Sequence, residues 1–336
     1  MDTVICEAPG KLALIEQPKP LRGEGEILLR IRRVGICGTD MHIFNGTQPY
    51  LSYPRVMGHE LSGEVAEAAP GSDFQTGDVV YVMPYIACGH CHACQRGKTN
   101  CCMNIQVLGV HRDGGLTEFI AIPEAFAFKC DGISLDEAAM LEFLSIGHHA
   151  VRRSEVKPGD QALVVGVGPI GMAAALFAKI AGAEVTVVDG RQSRLDFCQN
   201  ILKVDHAVPL SSTTRDELAA ITNNNFFDTT FDATGAPKAM ETGFGYVAHG
   251  GTYVFISVVA ADITFNDPEF QKRETTLKSS RNATVEDFEG VLAAMKAGKV
   301  PSAALNTHRA KLRELPYTLP KWMEPSAGVI KAIVEC

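Results

Sequence analysis

The first regular pattern along the chain is an alternation of apolar and polar positions in "GEILLRIRRVGICG". It predicts a β-strand with one face turned to a core. "ELSGEVAEAAPGSDFQTGDVVYVMP" predicts two further strands joined by a turn segment rich in Gly and Pro. Long helical periodicity is absent before about Asp136, and from about Leu144 the texture changes. "QALVVGVGPIG" is an apolar strand running into a glycine turn, and "MAAALFAKIAGA" is a helix. "EVTVVDG" predicts a second strand, "RQSRLDFCQNIL" a helix and "HAVPL" a short third strand. "FDTTFDATG", "GTYVFIS" and "TTLKSSR" predict three more, with helical material between them. Apolar strands alternating with helices imply a parallel sheet covered on both faces, and six strands fit two mononucleotide-binding halves. The closing stretch, from "VEDFEGVLAAMKAGKV" to "GVIKAIVEC", predicts a helix, a loop and a final strand.

Composition narrows the class. A chain of 336 residues has room for two domains, and 46% hydrophobic with 21% charged residues describes a globular protein rather than a disordered one. A net charge of −8 argues against a nucleic-acid partner. The N-terminus lacks the basic and apolar regions of a secretory signal. The longest apolar run, from Ala162 to Ala178, is broken by glycines and a proline, so it reads as strand and helix rather than a membrane span. The expectation is a cytoplasmic protein with reduced thiols, in which clustered cysteines serve metals more often than disulfides.

"GVGPIG" places Gly166, Gly168 and Gly171 at G-x-G-x-x-G spacing, with Pro169 and Ile170 between the last two. The motif ends a strand and opens a helix, which is the context that lets a pyrophosphate sit on the helix N-terminus. Asp189 ends the next strand, where an acid hydrogen-bonds the adenosine ribose and repels a ribose phosphate. Arg191 and Arg194 pull the other way, since an arginine can accommodate that phosphate; the acid is weighed above them and NAD is expected.

"YIACGHCHACQRGKTNCC" carries Cys88, Cys91 and Cys94 at C-x-x-C-x-x-C spacing, followed by Cys101 and Cys102. Four thiolates close a tetrahedral zinc site and leave no open position, so the site is structural; the fourth ligand comes from the adjacent pair. His90 and His92 are bystanders in this reading. A second group is scattered: Cys37 in "GICGTDMH", His59 and Glu60 in "GHE", and Glu142 in "MLEFLSIGHHA". A mixed thiol, imidazole and carboxylate set leaves a coordination position open, as a catalytic zinc requires. Spacing alone does not assemble these residues, which singly are most often core side chains.

The segments "GICGTDMHIF", "PRVMGHELSGEV", "CGHCHACQRGKTNCC", "DGGLTEFIAIP", "LEFLSIGHHAVRR" and "GVGPIGM" occur in order. Together they resemble the zinc-dependent medium-chain dehydrogenase/reductase superfamily over nearly the whole chain. A glutamate at 142 resembles its polyol (sorbitol) and threonine dehydrogenase side. "NDPEFQKRETTLKSSRNATVEDF" and "QPYLSYPRVMGHE" resemble an aldonate-oxidising branch that includes bacterial L-galactonate 5-dehydrogenases. The resemblance implies an α/β chain: a GroES-like β-rich catalytic domain (1–143 and 283–336) and a Rossmann domain with a doubly wound parallel six-stranded sheet (144–282), the active site lying between them. It implies two zincs and NAD, and a homo-oligomer, tetramer or dimer.

Carried over by residue, Cys37, His59 and a glutamate hold the catalytic zinc, and Cys88, Cys91, Cys94 and Cys102 the structural one. Whether Glu60 or Glu142 ligates directly stays open, because neighbouring strand residues face opposite ways unless the backbone bends. Cys101 stands where the family has an apolar residue. Phe143 replaces a proline usual after this glutamate, and proline suits a helix's first position, so Glu142 is expected to shift.

The implied reaction is reversible oxidation of a secondary alcohol, with zinc as Lewis acid and nicotinamide as hydride acceptor. Thr39 would touch the substrate oxygen and His42 relay the proton to solvent. Asp40 orients a neighbour, and Arg281 lies near cofactor and substrate, where a carboxylate-bearing substrate would find a bidentate partner. The competing readings are a threonine-type amino-alcohol dehydrogenase and a catalytically idle nucleotide-binding protein on the same scaffold.

Overall fold

A computed structural model describes residues Met1 to Cys336. Its contacts divide the chain into two units. The first comprises Met1–Glu142, Thr284–Gly298 and Ser302–Cys336, the second Phe143–Ala283 and Lys299–Pro301. The boundary falls inside a single helix, Leu135–Ser154.

The first unit is built on a seven-stranded sheet. Six strands run in the order Ala127–Lys129, Val79–Val82, Glu60–Glu67, Glu26–Ile36, Lys331–Glu335 and Asn306–Lys311, and Phe119–Pro123 pairs with the 26–36 strand as well. The 26–36 strand is the hub, and its Ile27, Leu29, Ile31 and Val34 are fully buried. Each such side chain contributes about 1.5–3 kcal/mol by leaving water. The strand Lys331–Glu335 pairs antiparallel with the hub, Ala332 opposite Ile36 and Val334 opposite Val34. On its other side it runs parallel to Asn306–Lys311.

The sequence pattern predicts a loop in the region before that final strand. The structure instead contains the strand Asn306–Lys311 and the helix Leu315–Trp322. Both were hidden for physical reasons. "NTHRAK" lies at the sheet edge and buries only Ala310, so it shows no apolar alternation. The helix carries Pro316 and Pro320, which read as breaks; Pro316 is tolerated in the first turn, where its missing N–H leaves no bond unmade.

The second unit has six strands, all parallel, in the order His206–Pro209, Glu184–Asp189, Gln161–Val165, Phe227–Asp232, Val247–Phe255 and Thr276–Ser279. The order reverses beside Gln161–Val165, and this switch point is where doubly wound sheets bind nucleotides. Ala162, Leu163, Val164, Val185 and Val187 are fully buried, which is why these strands read as unbroken apolar runs. The helix Pro169–Ile180 follows the glycine turn directly, and buries every residue from Gly171 to Ala178. The next predicted helix is interrupted: Gln192–Phe197 is α-helical and Cys198–Leu202 forms a π turn. No helix is long and apolar enough to cross a membrane.

Candidate active site

Cys37 follows the hub strand directly and caps the helix Gly38–Phe44. Asp40, at the third position of that helix, reaches back to accept from the Cys37 N–H at 2.9 Å, and its other oxygen accepts from Gly58 N–H at 3.1 Å. This fully buried carboxylate therefore ties the thiol's backbone to the turn that carries His59. Gly58 has φ +91°, and the strand Glu60–Glu67 begins only after it. His59 lies in the bend rather than in the pleat, so His59 and Glu60 escape the opposite-face rule. The ligand atoms of Cys37, His59 and Glu60 all lie within 4.8 Å of one another. Gly35, opposite Glu60 in the register, completes the fit, since a Cβ there would overlap the Glu60 carboxylate.

The electrostatics of this cluster suit a cation. Asp40, Glu60 and Glu142 are all buried, and a single lysine, Lys331, stands against them. Lys331 Nζ donates to Glu60 Oε1 at 2.6 Å, to Glu60 Oε2 at 2.7 Å and to Ile36 O at 3.1 Å. Burial works against its charge, but Glu60 and then Cys37 outweigh that and hold its pKa above the ordinary lysine value. Burial likewise opposes the imidazolium of His59, yet Cys37, Asp40 and Glu142 hold its pKa well above the ordinary range. Glu142 and Asp40 are pushed up by desolvation. His59 Nδ1, 4.0 Å from Asp40 Oδ1, and Glu142 Oε2 are buried with no hydrogen-bond partner. Excess buried acid and orphaned donor atoms together fit a bound metal ion.

Glu142 stands outside the closest cluster but within electrostatic reach of His59, Glu60 and Lys331. Its Oε1 accepts from the Tyr85 hydroxyl. The helix runs unbroken through it from Leu135 to Ser154 and Phe143 is fully buried. Position 143 is thus helix interior rather than a helix start, and the expected shift from losing a first-turn proline has no basis here.

The cysteine loop is equally explicit. Cys88, Cys91, Cys94 and Cys102 place their sulfurs within 4.8 Å of one another, and none is in a disulfide. A tetrahedron with Zn–S near 2.3 Å has sulfurs roughly 3.8 Å apart. The Cys91–Cys94 and Cys91–Cys102 separations are 3.5 and 3.9 Å. Backbone N–H groups of Cys88, Met103 and Asn104 point at sulfurs, as thiolates demand. Such bonds, that of His90 first, draw the Cys88 thiol down to about 6. Cys101 is exposed and outside the cluster; His90 Nδ1 faces Cys88 O.

The nucleotide turn is in place at the switch point. A Cβ on Gly171 would collide with the Gly166 carbonyl, so the helix can pack this closely only on glycine. Gly168 caps the helix, and Pro169 and Ile170 form its first turn. Asp189 Oδ2 accepts from Val167 N at 2.8 Å and Oδ1 from Arg191 N at 2.8 Å, so it braces the turn. Arg194 Nη1 stands 3.7 Å from Asp189 Oδ2.

Comparison with known proteins matches residues 23–132 to the alcohol dehydrogenase GroES-like domain and residues 169–297 to the zinc-binding dehydrogenase domain. L-galactonate-5-dehydrogenase of Escherichia coli K12 is 40% identical over 99% of this chain and 98% of its own. The chain belongs to the zinc-type alcohol dehydrogenase family. A second relative within the family, 2-dehydro-3-deoxy-L-galactonate 5-dehydrogenase of Pseudoalteromonas atlantica, is 30% identical over 93% of this chain and 92% of its own. Among solved structures, the RspB alcohol dehydrogenase of Escherichia coli CFT073, in complex with NADH, superposes with TM-score 0.94 at 27% identity and covers 100% of this chain and 99% of that one.

The remaining residues singled out for this dehydrogenase fold lie as follows. Thr39 is half-buried in the first turn of the Gly38–Phe44 helix; His42 is exposed one turn on, its Nδ1 2.9 Å from Thr47 Oγ1. Arg281 is exposed, just past the last parallel strand. Lys331 and Tyr85 were missed. A lone lysine inside the apolar strand "KAIVE" was a visible signal, since burial of an unpaired lysine is prohibitive. Nothing in the spacing marked Tyr85.

Proposed function

We propose that the chain is a zinc- and NAD-dependent dehydrogenase that interconverts a secondary alcohol of a sugar acid or polyol with the ketone, an aldonate of the L-galactonate kind being favoured. The observation carrying this reading is the buried thiol–imidazole–carboxylate cluster of Cys37, His59 and Glu60, with Glu142 beside it, in a chain 40% identical to an L-galactonate dehydrogenase. When bound, zinc supplies Lewis acidity toward the substrate hydroxyl and NAD supplies the hydride acceptor.

The chain's own residues do the rest. Cys37, His59 and a glutamate hold the first zinc; Cys88, Cys91, Cys94 and Cys102 hold the second and brace their loop. The Gly166–Gly171 turn takes the pyrophosphate and Asp189 the ribose, which favours NAD over NADP. Thr39 Oγ1 accepts the substrate's hydroxyl proton as it gives up its own, and His42, open to solvent, relays the released proton outward. Arg281 pairs with a substrate carboxylate. The protein works in the cytoplasm as a homo-oligomer.

The test is metal analysis followed by NAD- and NADP-coupled turnover on aldonates, hexitols and L-threonine. Two zincs per chain with turnover of L-galactonate and NAD support the reading. Turnover confined to L-threonine, or to none of these in zinc-replete protein, refutes it.

A further inference from the structure

Two buried glutamates flank the cluster, and they are engaged differently. Both oxygens of Glu60 are bonded to Lys331. Glu142 has one oxygen on the Tyr85 hydroxyl and the other, buried, on nothing. Tyr85 is 3% exposed, so water cannot replace its hydroxyl as donor. Its ring is clamped: Phe288, from the helix Val285–Lys296, packs edge-on at 6.4 Å and itself stacks on Tyr81 at 5.5 Å with planes 2° apart. The residue lies in the two-residue strand Tyr85–Ile86, paired with Gln106–Val107, which brackets the cysteine loop.

From this we infer that Tyr85 is the positioning residue of Glu142: by occupying Oε1 from a fixed ring, it keeps Oε2 free and oriented as the carboxylate donor to the metal held by Cys37 and His59. The division of labour follows. Lys331 neutralises Glu60, and Tyr85 presents Glu142. A phenol suits the task because it donates one hydrogen bond without adding a charge. A cation there would saturate the carboxylate as Lys331 saturates Glu60, whereas an apolar residue would leave two orphaned oxygens and a carboxyl free to rotate or take up a proton.

The inference rests on reading the cluster as a zinc site, and the experiment separates the two. Full-length Tyr85→Phe, Glu142→Gln, the double variant and Cys37→Ser are loaded with zinc. Chelator competition then follows each zinc, and the visible spectrum is recorded after cobalt replaces it. The Cys37→Ser variant identifies the first site by losing one zinc, and the cysteine-loop zinc is an internal control. Tyr85→Phe is expected to weaken the first site about 10–100-fold and shift its cobalt bands, with the loop site unmoved. The double variant should be no weaker than Glu142→Gln alone, because the hydroxyl acts only through that carboxylate.

A Tyr85→Phe protein with affinity within about twofold of the parent and unshifted cobalt bands overturns the proposal while leaving the zinc reading intact. If Cys37→Ser keeps both zincs, both fall. Should Tyr85→Phe not fold, 3-fluorotyrosine in place of Tyr85 keeps the shape and sharpens the donor: shifted cobalt bands support the role, unshifted bands refute it.

Discussion

Replacing Lys331 by methionine isolates the energetics of the buried pair. The substitution keeps the length of the side chain and removes a charge that is 1% exposed, leaving the wholly buried Glu60 carboxylate without its partner. Breaking a buried ion pair from one side costs about 3–5 kcal/mol, because the remaining charge stays desolvated. For a unit of this size that is about 6–20 °C in melting midpoint. The chain's single tryptophan, Trp322, lies in the core of the same unit, so its fluorescence reports the unit that carries the site. Thermal unfolding is followed at fixed zinc concentration for the parent, Lys331→Met and Lys331→Met/Glu60→Gln. The double variant removes the orphaned charge and should recover most of the loss. The raised lysine pKa fixes the pH behaviour. A raised basic group stabilises fully below its unfolded value, near 10.4, and loses that contribution only as pH rises through the higher folded value. The difference between parent and variant should therefore be flat from about pH 6 to 9. A Lys331→Met midpoint within about 2 °C of the parent, or a double variant no better than the single, would refute the argument.

Three further outcomes are expected. Cys91→Ala should release one zinc and lower the unfolding midpoint, while turnover per folded molecule changes little; a protein as stable as the parent would contradict a stapling role for the loop. Asp189→Ala should erode preference for NAD over NADP, since it removes the ribose partner and frees Arg194, 3.7 Å away; an unaltered ratio of kcat/KM for the two cofactors would exclude this role. Asp136 is held below the usual carboxylate range, burial opposing and Arg309 and Arg33 prevailing. A lowered acid stabilises above its unfolded value, near 3.9, and the contribution disappears as pH falls through the lower folded value. Asp136→Asn should thus cost about 1 kcal/mol at pH 7, discounted for partial exposure, and progressively less below pH 4; a cost independent of pH would count against the pairing.

The parts of this protein legible in its sequence are those whose physics is local. The central strands Gln161–Val165 and Glu184–Asp189 announced themselves because a sheet covered on both faces buries apolar side chains along them. The cysteine loop did so because four ligands to one ion must recur within a short arc. Cys37 sat in one segment and His59 with Glu60 in another, and only a resemblance brought the two together. The rule that neighbouring strand residues face opposite ways does not bind His59 and Glu60, because Gly58, with a left-handed φ of +91°, removes His59 from the pleat. Lys331 was out of reach of any spacing argument, since it meets Glu60 across 271 residues. Tyr85 was equally hidden, because its role depends on a helix that starts at Val285 and delivers Phe288 against its ring. The edge strand Asn306–Lys311 was missed because its side chains are mostly exposed, leaving hydrophobicity nothing to report.

The strand that carries Lys331 has a consequence for how the molecule is made. Cysteines 88 to 102 form a compact loop whose ligands all leave the ribosome together, so that loop can capture its ion early in synthesis. The other centre needs a counter-charge that is translated 271 residues after the glutamate it neutralises. Until that strand docks on one side of the hub, Glu60, at the start of the strand on the hub's other side, is an uncompensated acid. On the two-zinc proposal the ions would bind in sequence, and a nascent chain arrested before residue 331 would carry the first without a finished seat for the second.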